Sequence, residues 1–244
     1  MAAVLAGTSG YAYASWKPDF YPADVPAKRF LEHYATRLNS TEINYTFHRL
    51  PAAKSLTEWV AATQPGFLFS LKAHMKLTHV MRLKECGTFL EVFLRAIDPL
   101  RTVGRLGVIL FQLPPNLKCD VPLLSEFLTL LRGDVRFAFE FRHDSWLTDA
   151  VYDALSARGI CLCLAESEKL VIPEVLTAPF TYFRLRKGIY SDDERSAIAA
   201  RVGEMSTAER DVYVYFKHEE SPAGALYAEE LLRLIRPRAE PLSA

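Results

Sequence analysis

Net charge is the first thing this chain lacks. Its 29 basic and 29 acidic side chains cancel, leaving a formal charge of zero over 244 residues. No global field draws it to nucleic acid or to an anionic membrane, so any anion site has to be local. Long apolar runs are also missing. Half of the residues are hydrophobic, enough for a sizeable core, but no run approaches the ~20 residues that a membrane span needs. The first residues, MAAVLAGTSG, carry no basic stretch ahead of their short apolar run. A secretory leader is therefore not expected, and a cytoplasmic location is.

Cysteine is scarce: Cys86, Cys119, Cys161 and Cys163. The last two form a C-x-C inside the apolar run ICLCLAE, whereas structural zinc sites space paired cysteines by two to four residues. They read as reduced, buried hydrophobes. The chain has no G-x-G-x-x-G, no H-E-x-x-H and no G-x-S-x-G. These absences remove the dinucleotide fingerprint, the compact zinc-protease motif and the serine-hydrolase elbow. In GTSG, 7–10, the two glycines are expected to permit a tight turn from strand to loop.

Short apolar runs alternate with helical patterns. Strands are expected at 4–9, 40–44, 66–73, 106–113, 136–142, 160–166, 180–186 and 211–217. Helical spacing is expected at 27–37, 52–63, 86–100, 121–132, 147–157, 193–204 and 224–235. The segment 167–178 fits neither pattern. Strands joined through helices run parallel, and parallel strands covered on both faces read as continuous apolar runs. Eight such repeats, in a length near the ~250 residues typical of a (β/α)8 barrel, predict a single α/β domain of the TIM-barrel type over residues 1–236. The remainder, 237–244, reads as a frayed tail.

Function in such barrels sits where the strands end. In FAFEFRHDSW, 137–146, Phe137, Phe139 and Phe141 alternate with Ala138, Glu140 and Arg142. Alternation sends the phenylalanines toward the helices and Glu140 and Arg142 toward the barrel mouth. Other strand ends supply Glu42, Asn44, Lys72, Gln112, His143, Glu166, Arg184, Arg186 and Lys217. Buried charges need partners, and Glu140–Arg142 or Glu42–Lys72 pairs would meet that need. The Pro114–Pro115 pair is expected to aim its loop away from the mouth.

This order of motifs resembles the DUF72 (YecE-like) family. The likeness rests on GTSGY at 7–11, W-x-x-x-F-Y at 16–21, STEIN-x-T-F at 40–47, KA at 72–73 with TH at 78–79, and FQLPP at 111–115. EFRH-x-SW at 140–146, CLAES at 163–167, YFRLR at 182–186 and VYVYF at 212–216 continue it in order. The resemblance implies a TIM barrel and no established activity. The chain departs from an asparagine–aspartate pair that many members place after the eighth strand. Here Lys217-His218-Glu219-Glu220 stands instead.

The leading expectation is an enzyme, a hydrolase or lyase, acting on a small anionic substrate, with phosphate-bearing molecules among the candidates. Glu42 and Glu140 are its candidate acid and base, given environments that separate their pKa values. Asn44, Lys72, Gln112, Arg142, His143, Arg184 and Lys217, with Arg186, are its candidate substrate ligands, since arginine and lysine suit carboxylate and phosphate. Trp16 and Tyr21, with Tyr45, Trp146 and Tyr190, are candidate flat walls. No cofactor is expected. An alternative is a divalent metal held by His48, His74, His143 or His218 with Glu42, Glu140 and Glu166, for phosphoester cleavage on nucleic acid. DUF72 barrels are distantly similar to the xylose-isomerase-like barrels that include endonuclease IV. A third reading is a nucleic-acid-binding module using Arg101, Arg105, Arg132 and Arg136. No membrane partner is expected.

Overall fold

A computed structural model describes residues 2–207, 210–217 and 220–235. The segment 237–244, expected to fray, lies outside the described residues, as do His218 and Glu219. The apolar runs become parallel strands: β1 (Val4–Thr8), β2 (Ser40–Ile43), β3 (Leu68–Lys72), β4 (Leu106–Gln112), β5 (Arg136–Glu140), β6 (Cys161–Leu162), β7 (Leu164–Ala165), β8 (Phe180–Leu185) and β9 (Asp211–Phe216). Helices follow: α1 (Phe30–Arg37), α2 (Tyr45–His48), α3 (Ala53–Ala61), α4 (Gly87–Thr102), α5 (Val121–Thr129), α6 (Asp149–Ser156), α7 (Asp192–Thr207) and α8 (Ala223–Ile235). Most expected spans hold to within a few residues. Two do not. The short α2 was not expected, and the run 160–166 is broken at Cys163 into β6 and β7. Residues 167–178 form no helix or strand.

The strands pair in two sets, β2-β3-β4-β5-β6 and β7-β8-β9-β1. Polar side chains join the sets at both seams. At the β6/β7 break, the Thr177 hydroxyl accepts the Leu162 N–H (2.8 Å) and donates to the Ile160 carbonyl (2.7 Å), standing in for a strand. Between β1 and β2, Asn39 does the same. Its Oδ1 accepts the Ala6 N–H (2.9 Å), and its Nδ2 donates to the Val4 carbonyl (2.8 Å). Tyr34 Oη takes the Thr8 N–H (2.8 Å) and donates to the Ser40 carbonyl (3.0 Å). Above them Ser9 bridges Glu42 as a parallel pair, and the Gly10 N–H reaches the Glu42 carbonyl at 2.8 Å. The ring is thereby closed into a (β/α)8 barrel of the TIM type.

Gly7 has a different part from the one expected. A Cβ there would stand 1.8 Å from the Ser40 carbonyl oxygen, so glycine permits the close approach of β1 to β2. The turn belongs to Gly10, whose φ of +91° favours glycine.

Alternation sorts the core into two parts. Phe137, Phe139 and Phe141 face outward as expected; Phe139 meets Phe127 of α5, and Phe141 stacks on Trp146 at 4.9 Å. Leu5, Val108, Leu110, Ala138, Cys161 and Cys163 fill the barrel interior with Tyr182, Tyr213 and Tyr215. Burial raises the Cys161 thiol to about 12 and raises Cys163 as well, which keeps both as inert packing groups. A polar layer caps this filling, where Tyr215 Oη joins Ser40 Oγ (2.6 Å) and Ser70 Oγ (2.9 Å).

Because Asn39 replaces part of a strand ladder, Asn39→Ala leaves one N–H and one carbonyl unpaired at the β1–β2 seam. The expected loss is about 2 kcal/mol, read as a lower urea midpoint. An unchanged midpoint would show that the seam does not depend on this amide.

Candidate functional site

The C-terminal ends of the strands gather around one guanidinium. Arg184, near the end of β8, is fully buried. Its Nη2 donates to Glu42 Oε1 at 2.8 Å and its Nη1 to Glu140 Oε2 at 2.5 Å. The two carboxylates come from β2 and β5, on either side of the ring, and both are buried. Neither pairing expected from sequence is the principal one.

Glu42 is saturated. Ser9 Oγ donates to its Oε1 at 2.5 Å, and Tyr182 Oη donates to its Oε2 at 2.6 Å. Asn44 reaches it indirectly, through a 2.9 Å bond from Nδ2 to Ser9 Oγ. Glu140 accepts from Gln112 Nε2 at both oxygens, 2.8 and 2.9 Å. Two further cations flank it: Arg142 Nε at 3.2 Å and Arg186 Nη1 at 3.6 Å. Arg142 follows β5 and Arg186 follows β8, so two strands bring their arginines to one carboxylate.

These contacts fix the protonation states. Burial is the largest single influence on the Glu42 carboxyl and raises it, but Arg184, Ser9 and Tyr182 together outweigh it, and the group lies below its ordinary value. At Glu140 burial is opposed by Arg184, Arg186, Gln112 and Arg142, and the carboxyl is held down at about 2. Against the expectation of environments that separate the two pKa values, both lie below the ordinary carboxylate value. Arg184 anchors both as anions, leaving no protonated acid between them and little basicity at Glu140.

Lys72, at the end of β3, shares the inward face with Ser70. It is half-buried, with Nζ 3.9 Å from the centre of the Phe47 ring. Among the described residues its ammonium makes no hydrogen bond or ion pair. Burial lowers its pKa most, Arg184 next; Glu42 and Glu140 oppose them, and the net position is about 8.

A cleft of about 460 Å³ opens beside this cluster, lined by Pro115, Arg142, His143, Glu166, Lys169 and Arg186, with Glu140 at its floor. Pro115 therefore borders the mouth, where the proline pair had been expected to lead the loop away. Glu166 is committed to its neighbouring loop: it accepts the Arg186 and Lys187 N–H groups at 2.6 and 3.1 Å, and the Tyr190 hydroxyl. His143 turns Nδ1 toward the Ser145 N–H at 3.2 Å and the Asp144 carboxylate at 2.9 Å. Lys217 stands one residue past β9, its N–H bonded to the Leu185 carbonyl at 2.8 Å.

The expected aromatic walls are packing. Trp16 and Tyr21 are fully buried and stack on each other at 5.9 Å. Tyr21 also stacks on Phe30 at 4.1 Å and donates to the Tyr11 carbonyl at 2.5 Å. Trp146 donates to the Leu117 carbonyl at 2.7 Å, and Tyr190 is buried. Tyr45 alone of the five is exposed. The metal reading also finds no geometry: among the described residues no three His, Cys, Asp or Glu side chains group around a common point. Arg184 occupies the place between Glu42 and Glu140 where a cation would stand.

The candidate nucleic-acid arginines are ties at the opposite rim. Arg105 is buried and donates to the Phe67 carbonyl at 2.7 Å. Arg101 pairs with Asp98 and Asp134, Arg132 with Asp134, and Arg136 with Asp211. Sequence reasoning missed Ser9 as a partner of Glu42, Phe47 as the platform under Lys72, and Tyr182 as a donor into the cluster. Tyr182 shares a strand face with Arg184, and that alternation was the signal available.

The family model described as "Protein of unknown function DUF72" matches residues 5–244. The chain belongs to the DUF72 family. A DUF72 family protein from Thermotoga maritima MSB8 superposes with a TM-score of 0.84 at 27% identity, covering 96% of this chain and 100% of that one. A DUF72 family protein from Enterococcus faecalis V583 gives 0.80 at 17% identity, covering 99% and 98%, which speaks for the fold alone. The UPF0759 protein YecE of Escherichia coli (strain K12) is 29% identical over 131 residues, covering 53% of this chain and 47% of that protein. The UPF0759 protein YunF of Bacillus subtilis (strain 168) is 26% identical over 143 residues, covering 54% and 49%. The match spans about half the length of these curated relatives. No described helix of this DUF72 chain is long and apolar enough to cross a membrane.

The lowered carboxyl at Glu140 has a consequence for stability. Its folded pKa, about 2, lies below the ordinary 4.5. The stabilisation is therefore present above pH 4.5 and is lost as pH falls toward 2. Glu140→Gln should flatten this part of the curve of unfolding free energy against pH. Equal acid sensitivity in wild type and variant would overturn the assignment.

Proposed function

We propose that this protein is an enzyme acting on a small anionic substrate at the C-terminal mouth of its barrel, by hydrolytic or lyase chemistry. One observation carries the reading. Arg142 and Arg186 converge on Glu140 from two strands, at the edge of the cleft, with side chains 33% and 22% exposed. Among the described residues, neither the Arg142 nor the Arg186 guanidinium makes a hydrogen bond to protein beyond these ion pairs. Arg184, Arg142, Arg186 and Lys72 surround the two carboxylates Glu42 and Glu140, so the ion cluster itself holds more cations than acids, while Asp144, Glu166 and Lys169 add charges of both signs along the cleft. A carboxylate or phosphate is the ligand that guanidinium donors suit best.

Roles follow from protonation. Glu42 and Glu140 hold the arginines in place, Gln112 and Asn44 support those carboxylates, and Arg142 and Arg186 receive the anion. His143 borders the same cleft. Lys72, held at about 8, has a proton exchangeable near neutrality, so acid–base work is assigned to it. Phosphoester cleavage through a metal is disfavoured by the guanidinium between the acids.

Calorimetric titration with inorganic phosphate tests the reading. Arg142→Gln and Arg186→Gln should each weaken binding roughly tenfold, the loss of one charge-assisted bond. If the folded double variant binds phosphate as well as wild type does, the anion site is elsewhere or absent.

A further inference from the structure

We infer that Lys72 is a nucleophilic amine that condenses with the carbonyl of a small anionic aldehyde or 2-oxo acid, the anionic group resting on Arg142 and Arg186. This rests on the anion reading above and adds the substrate class. An amine is a poor nucleophile while it is solvated and paired with an acid, and a good one when desolvated beside other cations. Lys72 is in the second condition. It ends an inner strand, is half-buried, and lies over an aromatic face, with no acid bonded to its ammonium among the described residues. The two nearby carboxylates are already held by Arg184.

Arg142 links the amine to the cleft. It lines the cleft wall, and, as a smaller contribution after burial, its charge also acts on both Lys72 and His79, lowering their proton affinity. His79 packs edge-on against Phe47, with ring centres 5.1 Å apart. Lys72, Phe47, His79 and Arg142 therefore form one neighbourhood. A short molecule with an anion at one end and a carbonyl next to it is the substrate class whose two ends match a guanidinium and an amine.

The covalent step balances without an added redox partner. The Nζ lone pair forms a bond to the carbonyl carbon, and the carbonyl π pair goes to oxygen, which takes a proton. The carbinolamine then expels that oxygen as water with the two hydrogens that began on nitrogen. A C=N bond remains. Protonation of that nitrogen draws electrons from the adjacent carbon, which is what lyase chemistry on a 2-oxo acid or aldehyde requires.

Reductive trapping tests this on the whole chain. Incubation with glyoxylate and cyanoborohydride at neutral pH converts an imine to a carboxymethyl amine, located by peptide mass spectrometry. Lys72 should be labelled roughly tenfold or more faster than exposed Lys28 and Lys54, because more of it is unprotonated. Inorganic phosphate should slow that labelling, and Lys72→Arg should remove the fast site. Labelling of Lys72 no faster than of exposed lysines, with phosphate binding intact by calorimetry, overturns the amine and leaves the anion site standing. Fast labelling that phosphate does not slow, with no phosphate binding, overturns the anionic contact and the reading it rests on.

Discussion

A guanidinium removed from water keeps its proton, because no environment inside a protein lowers its pKa far enough to release it. Its charge must be met where it stands. Arg184 meets two carboxylates, one on each side of the barrel, and the arrangement at the mouth follows from that demand. Burying one positive and two negative groups is costly in desolvation, and the cost is offset by hydrogen bonds to the acids, while Arg184 Nε is itself buried with no hydrogen-bond partner among the described residues. Ser9, Tyr182 and Gln112 supply the remaining bonds to the acids. Each comes from a different strand or strand end. The ion cluster thus works as a tie across the top of the ring, above interior side chains that are mostly apolar.

Two negative charges against one positive leave the cluster anionic until its outer cations are counted. Arg142 and Arg186 reverse the balance at Glu140, and Lys72 adds to it from β3. These outer cations differ from Arg184 in solvation. They keep contact with water and retain donors that the protein does not fill. Lys72 is then squeezed between opposing effects: burial and neighbouring arginines disfavour its charge, while the carboxylates favour it. Because Arg184 already compensates those carboxylates, burial prevails. A lysine near a pair of glutamates would ordinarily be held charged. Here burial and the intervening guanidinium weaken that hold.

Much of the fold was legible because period-two alternation and apolar runs are strong signals. FAFEFR sorted correctly into a helix-facing phenylalanine edge and an inward Glu140 and Arg142. LGVILFQL gave β4 nearly to the residue. What stayed hidden depends on contacts between distant segments. Nothing local in Asn39 or Thr177 says that a side chain will stand in for a strand, since either residue is equally at home in a turn. Arg184 looked like a ligand for substrate. Its burial depends on Glu42, 142 positions away in sequence. The aromatic residues misled for the opposite reason. Trp16 and Tyr21 lie in a proline-bearing loop that reads as exposed, but Phe20, Phe30 and Tyr34 are close enough to build a core around them.

The same residue type has two uses at the two ends of this barrel, and the difference is one of saturation. At the N-terminal rim each arginine finds a fixed partner: Arg105 a run of carbonyl and hydroxyl acceptors, Arg101 and Arg132 a shared Asp134, Arg136 an aspartate and the Tyr213 hydroxyl. Such groups stabilise the ring and offer little to a ligand. Around Glu140 the acids are too few. Glu140 must serve Arg184, Arg142 and Arg186 together, and of the three Arg184 makes the hydrogen bond, while Arg142 and Arg186 stand as ion pairs at 3.2 and 3.6 Å. A shortage of acid among converging, half-solvated arginines is a property of placement that neutral net charge conceals. It is also the condition in which an incoming anion gains bonds without displacing any that the fold needs.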